Sequence, residues 1–251
     1  IVVTGAAQGI GAAVAATFAQ HGARLALLDC RPDITTHAVS LQHEYGVRIC
    51  GHCVDISDRA AVSAAVDQIE STLGAIDILV NAAGILRMSP ILETSAADWA
   101  DSFAVNTHGV FYISTAVARH MCPRNRGAIV TVTSNASTVP RMRMAAYAAS
   151  KAATLQFTRC LGLELAEYGI RCNSVSPGST DTPMQRQLWT NGVDAAAVIN
   201  GSGADFRLGI PLRRIATPQD IVDAVCFLAS ERARHITLHD LRIDGGATLD
   251  A

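Results

Sequence analysis

The chain has 251 residues, 49% of them hydrophobic and 17% charged, with a formal net charge of −2. That is enough for one α/β domain with a large core, and such near-neutrality excludes a basic stripe for nucleic acid. No apolar run is long enough to span a bilayer.

Residues 1–4, IVVT, read as a short buried strand, followed by a turn with Gly5, Gly9 and Gly11. The apolar-periodic segment after it stops at Gly22, so strand, glycine turn and helix form a dinucleotide-binding βα unit. A second strand, ARLALLD, ends in Asp29, where a carboxylate can accept both ribose hydroxyls of NAD and repel a 2′-phosphate. Arg31, two residues on, could instead welcome that phosphate; the balance favours NAD over NADP. Further strands are expected near 47–54, 76–81, 127–133, 170–176 and 241–244, alternating with helices. The pattern predicts a Rossmann-type doubly wound parallel sheet of about seven strands, with helices on both faces, in a single domain over 1–251.

Between the fifth and sixth strands lie Ser134 and the segment YAASK, which sets Tyr147 and Lys151 four residues apart. On a helix these share a face. An ammonium beside a phenol lowers its pKa, and a serine hydroxyl can hold the oxygen that the phenolate deprotonates. The set reads as a device for moving a proton on or off an alcohol. After the sixth strand, residues 183–210 carry Gly192, Gly201, Gly203 and Gly209 and read as a lid beside the site.

Two other patterns suggest metals and do not hold up. Cys50 and Cys53 form a CxxC, but within a strand residues three apart face opposite sides, and no second CxxC completes a zinc site. His235 and His239 are four apart in a strand-like stretch, which separates them by about 13 Å. No metal is expected. Seven cysteines, an odd number, suit a reduced cytoplasmic protein better than a disulfide scaffold. No secretion signal precedes the first strand, and a few residues are expected to precede Ile1.

Taken together, TGAAQGIG, Asp55, NAAG at 81–84, Asn106 in FAVNTHG, Ser134, Tyr147/Lys151 and PGSTDT at 177–182 resemble the short-chain dehydrogenase/reductase family along the whole chain. The resemblance implies a catalytic tetrad of Asn106, Ser134, Tyr147 and Lys151. It also implies a cofactor site. Gly5, Gln8, Gly9, Ile10 and Gly11 would hold the pyrophosphate, with Asp55 and Ile56 at the adenine. Asn81, Ala82 and Gly84 would line the adenosine side, and Pro177, Gly178, Thr180 and Thr182 would meet the nicotinamide, with Tyr147 and Lys151 beside it. A homotetramer is implied as well.

More narrowly, NAAGILRM, AIVTV, SPGSTDT, LGIPL and DGGATL resemble members that oxidise a cyclic dihydrodiol acid to a catechol acid used in siderophores. A buried carboxylate needs a cation, and arginine suits it best. Arg141 is the first candidate, with Arg186 and Arg87 behind it and Met144 in the same loop; Arg143 departs from the pattern of these members and is set aside. Two other readings stay open: a relative acting on an acyl, sugar or other carbonyl, and a non-catalytic nucleotide sensor.

Overall fold

The computed structural model describes residues 1–187, 189 and 194–249. Seven strands form one parallel sheet: β1 (Val2–Thr4), β2 (Leu25–Asp29), β3 (Ile49–Cys53), β4 (Ile78–Asn81), β5 (Gly127–Val132), β6 (Ile170–Pro177) and β7 (Asp240–Ile243). Their order is β3-β2-β1-β4-β5-β6-β7, with every pairing parallel. Each expected strand is present, with ends shifted by a few residues at most.

The strands bury both faces, and neighbouring residues on a strand point to opposite layers. Val3, Leu27, Val80 and Val130 pack with α1 (Gly9–Gln20), α2 (Ile34–Tyr45) and α9 (Pro218–Ala229). Val2, Leu28, Leu79 and Ile129 pack with α3 (Arg59–Thr72) and α5 (Val110–Met121) on the other side. The helices α4 (Ala96–Phe103), α6 (Ala145–Leu165), α7 (Pro183–Arg186) and α8 (Ala195–Asn200) complete the set used below.

Strand order reverses between β1 and β4, so the loops that follow these two strands part above the sheet. A ligand crevice is expected at such a point. Two glycines allow the loops to meet closely. Gly5 has φ +66°, and a Cβ there would stand 2.6 Å from Cα of Ala83. A Cβ on Gly11 would stand 2.1 Å from the Gly5 carbonyl oxygen. Thr4 ties the same loops: its hydroxyl accepts from the backbone N–H of Ala82 and of Ala83, each at 3.2 Å.

The cysteine geometry separates the two thiols. The Cys50 thiol donates to the Leu25 carbonyl, whereas that of Cys53 donates to the Cys30 carbonyl. His239 lies just ahead of β7 rather than within it, because Leu238 takes a left-handed turn with φ +63°.

At the N-terminus of α9, Thr217 accepts from the backbone N–H of Asp220, and the Asp220 carboxylate accepts from the Thr217 N–H at 2.7 Å. Arg214 donates two bonds to the same carboxylate, at 2.7 and 2.6 Å. Arg214, then the Thr217 N–H, holds the Asp220 carboxyl well below the usual carboxylate range. Its stabilising contribution is therefore present above the ordinary aspartate pKa and disappears as pH falls through the depressed one. Thr217→Ala is expected to cost about 1 kcal/mol by urea unfolding at pH 7. Asp220→Asn should flatten the acid side of the stability profile, and unchanged acid sensitivity would count against this account.

Candidate active site

Tyr147 and Lys151 lie one turn apart on α6, and both are buried. Small neighbours (Ala145, Ala146, Ala148, Ala149) let this end of the helix approach the sheet. Lys151 Nζ donates to the Val132 carbonyl at the end of β5, at 2.9 Å. Ser134 follows two residues later in the chain, and its hydroxyl accepts from the Ala136 N–H and bonds Tyr147. The end of β5 and one helix thus gather the three groups.

Asn106 sits beneath them, fully buried, in a π-helical turn (Ala104–Gly109) between α4 and α5. Its Oδ1 accepts from the Ile85 N–H at 2.8 Å. Its Nδ2 donates to the Ile85 carbonyl and to Ser150 Oγ, each at 3.0 Å.

Electrostatics in the site depart from the expectation that the lysine lowers the phenol pKa. Burial pushes the Tyr147 phenol above its ordinary value, against the downward pull of the Ser134 hydrogen bond. Lys151 Nζ stands 6.0 Å from the Tyr147 ring centroid and is itself pulled down to about 8 by burial. Desolvation opposes charge on both groups, and it outweighs their neighbour effects.

Two cavities that share lining residues run along the strand ends. One, of about 330 Å³, is lined by Gly5, Gln8, Gly9, Ile10, Gly11, Asp29, Asp55, Ile56, Ala82 and Gly84. The first residues of α1 open onto it, and no side chain caps that helix. Such a terminus has free N–H groups for an anion. Asp29 Oδ2 accepts from the Ala7 N–H, and its Oδ1 accepts from the Arg31 N–H. Arg31 lines the cavity but is engaged with Asp33, and its Nη1 reaches Gln8 at 3.3 Å. The second cavity, of about 130 Å³, holds Ser134, Tyr147, Lys151, Pro177, Gly178, Thr180, Thr182, Arg141 and Met144.

Three expected residues lie elsewhere. Asn81 points into the core, where Nδ2 donates to Ser114 and Thr131 and Oδ1 has no hydrogen-bond partner among the described residues. Arg87 pairs with Asp98 on the surface at 3.6 Å. Arg186 is exposed and donates to Asp181 at 2.7 and 2.9 Å. Neither arginine lines the cavities described here. Arg207, which the sequence reading passed over, does line the second cavity. It lies in the segment read as a lid, but no regular periodicity there indicates which way its side chain points.

Gly192 in that segment is outside the described residues. Gly201 and Gly209 have φ of +82° and +85°, and a Cβ on either would meet backbone atoms at 2.4 Å. They permit a close-packed turn rather than marking loose chain.

Residues 5–248 match the profile of the family described as enoyl-(acyl carrier protein) reductase. The chain belongs to the short-chain dehydrogenase/reductase family. Among members of this family, 2,3-dihydro-2,3-dihydroxybenzoate dehydrogenase of Bacillus subtilis (strain 168) is 52% identical, covering 98% of this chain and 95% of its own. The vibriobactin-specific 2,3-dihydro-2,3-dihydroxybenzoate dehydrogenase of Vibrio cholerae serotype O1 is 45% identical, covering 100% and 96%. A solved short-chain dehydrogenase/reductase structure, a gluconate 5-dehydrogenase from Burkholderia cenocepacia J2315 in complex with NADP and tartrate, is 33% identical. It superposes with a TM-score of 0.90 and covers 98% of this chain and 93% of that one.

The depressed Lys151 pKa has a consequence for stability. Between about 8 and its ordinary value, the unfolded chain binds more protons than the folded one, so this group makes stability rise with pH. Relative to Lys151→Met, the parent should gain up to about 1.4 kcal/mol per pH unit across that window. Urea unfolding of both proteins from pH 7 to 10 reads the difference; parallel profiles would contradict it.

Proposed function

We propose that this protein oxidises 2,3-dihydro-2,3-dihydroxybenzoate to 2,3-dihydroxybenzoate, an NAD-dependent step of catechol siderophore biosynthesis. The observation that carries the reading is the Ser134–Tyr147–Lys151 cluster, in a chain about half identical to a dehydrogenase of that name. The glycine cradle and the uncapped start of α1 fit a dinucleotide.

Tyr147 takes the proton of a ring hydroxyl, and Ser134 holds the same oxygen. A nicotinamide cofactor held along the glycine cradle and residues 177–182 would supply the hydride acceptor for the carbinol carbon. The resulting ring ketone tautomerises to a catechol, so aromatisation makes the oxidation downhill. Lys151 is one turn from the base and offers a charge that burial makes easy to remove. Asn106 fixes the Ile85 loop and α6 relative to each other. Arg141, half-buried in the cleft, is the cation for the substrate carboxylate. Residues 183–187 and 194–210, the stretches of the expected lid that lie within the described residues, act as the lid of a single catalytic domain.

NAD is favoured over NADP by the Asp29 carboxylate at the end of β2 and by the engagement of Arg31 with Asp33. Family membership supports a homotetramer in the cytoplasm, and the exposed Phe111 and Leu163 are residues such packing would cover.

Tyr147→Phe keeps the ring and removes the acidic oxygen. Turnover of the dihydrodiol acid is expected to fall roughly 10²–10⁴-fold, with NAD affinity retained by fluorescence titration. A variant keeping more than half the parent rate would overturn the assignment. Asp29→Ala should weaken NAD binding and relax discrimination against NADP. Competitive titration of both cofactors checks this, and a parent that already prefers NADP would show that Arg31 dominates.

A further inference from the structure

A third cavity, of about 340 Å³, adjoins the catalytic one and shares Arg141, Met144, Gln185 and Arg207 with it. Its other walls include Met88 and Met142, which give an apolar surface suited to a ring. Arg141 comes from the loop between β5 and α6, whereas Arg207 comes from the turn after α8. Both are half-buried. Burial pulls both guanidiniums down; the Arg207 charge pulls Arg141 down further, and Asp205 only partly offsets the shift in Arg207.

The carboxylates nearby are already taken. Asp205 accepts from Arg143 at 3.0 Å through Oδ1 and from Ser202 Oγ at 3.1 Å through Oδ2. Asp244 accepts from the Gly246 N–H through Oδ1 and from Asn135 Nδ2 through Oδ2. Arg141 has a neutral partner, the Thr248 hydroxyl at 3.1 Å. Among the described residues, neither Arg141 nor Arg207 is in an ion pair. Two half-buried guanidiniums outside any ion pair, their charges only partly offset by Asp244 and Asp205, stand beside an apolar wall and make a site for an anion carried on a ring.

We infer that Arg207 is a specificity-determining residue, gripping the substrate carboxylate jointly with Arg141. This rests on the function proposed above and adds to it. One carboxylate held by both arginines links the β5–α6 loop to the 194–210 segment, so recognition of the acid and seating of that segment are one event. A diol without the carboxylate forgoes both.

The test uses Arg207→Met and Arg207→Lys in the full chain, with Arg141→Met as a comparison. Steady-state kinetics are measured on the dihydrodiol acid and on its methyl ester. For Arg207→Met, kcat/KM on the acid is expected to fall roughly 30-fold or more beyond any loss on the ester. Arg207→Lys should recover part of that difference, and NAD affinity should match the parent. Equal losses on acid and ester, or no loss on either, would overturn the inference. Binding of 2,3-dihydroxybenzoate against its methyl ester is followed by calorimetry in parallel. If the parent turns over no dihydrodiol acid, the proposed function fails. The grip then stands if Arg207→Met abolishes the parent's preference for the free acid, and falls if that preference is absent or unchanged.

Discussion

The buried carboxamide of Asn106 holds the site together. It pairs with both the N–H and the carbonyl of Ile85, which fixes the loop after β4, and its remaining donor reaches Ser150 on α6. The amide has one acceptor and two donors here, and all are used. Its own backbone carbonyl accepts from Thr154 Oγ1 at 2.6 Å, one turn beyond Ser150. The π-helical turn is what presents side chain and carbonyl to these partners. Ser150 lies between Tyr147 and Lys151 in the same helix, so anchoring it sets the register of both. Buried polar networks of this kind are costly when half-made, and this one is complete.

The choice of lysine at position 151 carries a further meaning. It is the chain's only lysine, and every other basic Lys/Arg position is arginine. Arginine could bond the Val132 carbonyl equally well, but it does not lose its proton in proteins. Burial brings the lysine down to about 8, within reach of neutral pH, while raising the phenol above its usual value. From ordinary values that nearly coincide, the two groups thereby move apart in acidity, so a lysine that gives up its proton readily stands beside a phenol that holds its own.

Much of this was legible in the sequence. Strand positions follow from β-branched runs, because a parallel sheet buried on both faces needs them. The Tyr147/Lys151 face follows from helical spacing, and the glycine cradle from close backbone approach. Side-chain direction in irregular segments was not legible. Arg87 and Arg207 lie outside the helices and strands and Arg186 ends the short helix α7; local aspartates decided the direction of Arg87 and Arg186, since Asp98 and Asp181 draw them away from the cleft. Asn81 belongs to a motif expected at the cofactor, yet as the last residue of β4 it faces Ser114 and Thr131. The phenol shift also escaped the sequence reading, since spacing reports neighbours but not desolvation.

Arg143, set aside on sequence grounds, has a structural part to play. It adopts φ +62°, a conformation that costs a non-glycine residue about 1 kcal/mol or more. Its carbonyl accepts from the Ser89 N–H at 3.0 Å, and its guanidinium pairs with Asp205. Asp205 favours the charge of Arg207, and Arg143 opposes it. By occupying Asp205, Arg143 keeps a carboxylate of the protein from taking the place of one on a ligand. A strained surface arginine thereby offsets part of the pull of Asp205 on the half-buried one beside the cleft and leaves that guanidinium outside any ion pair, open to an incoming acid.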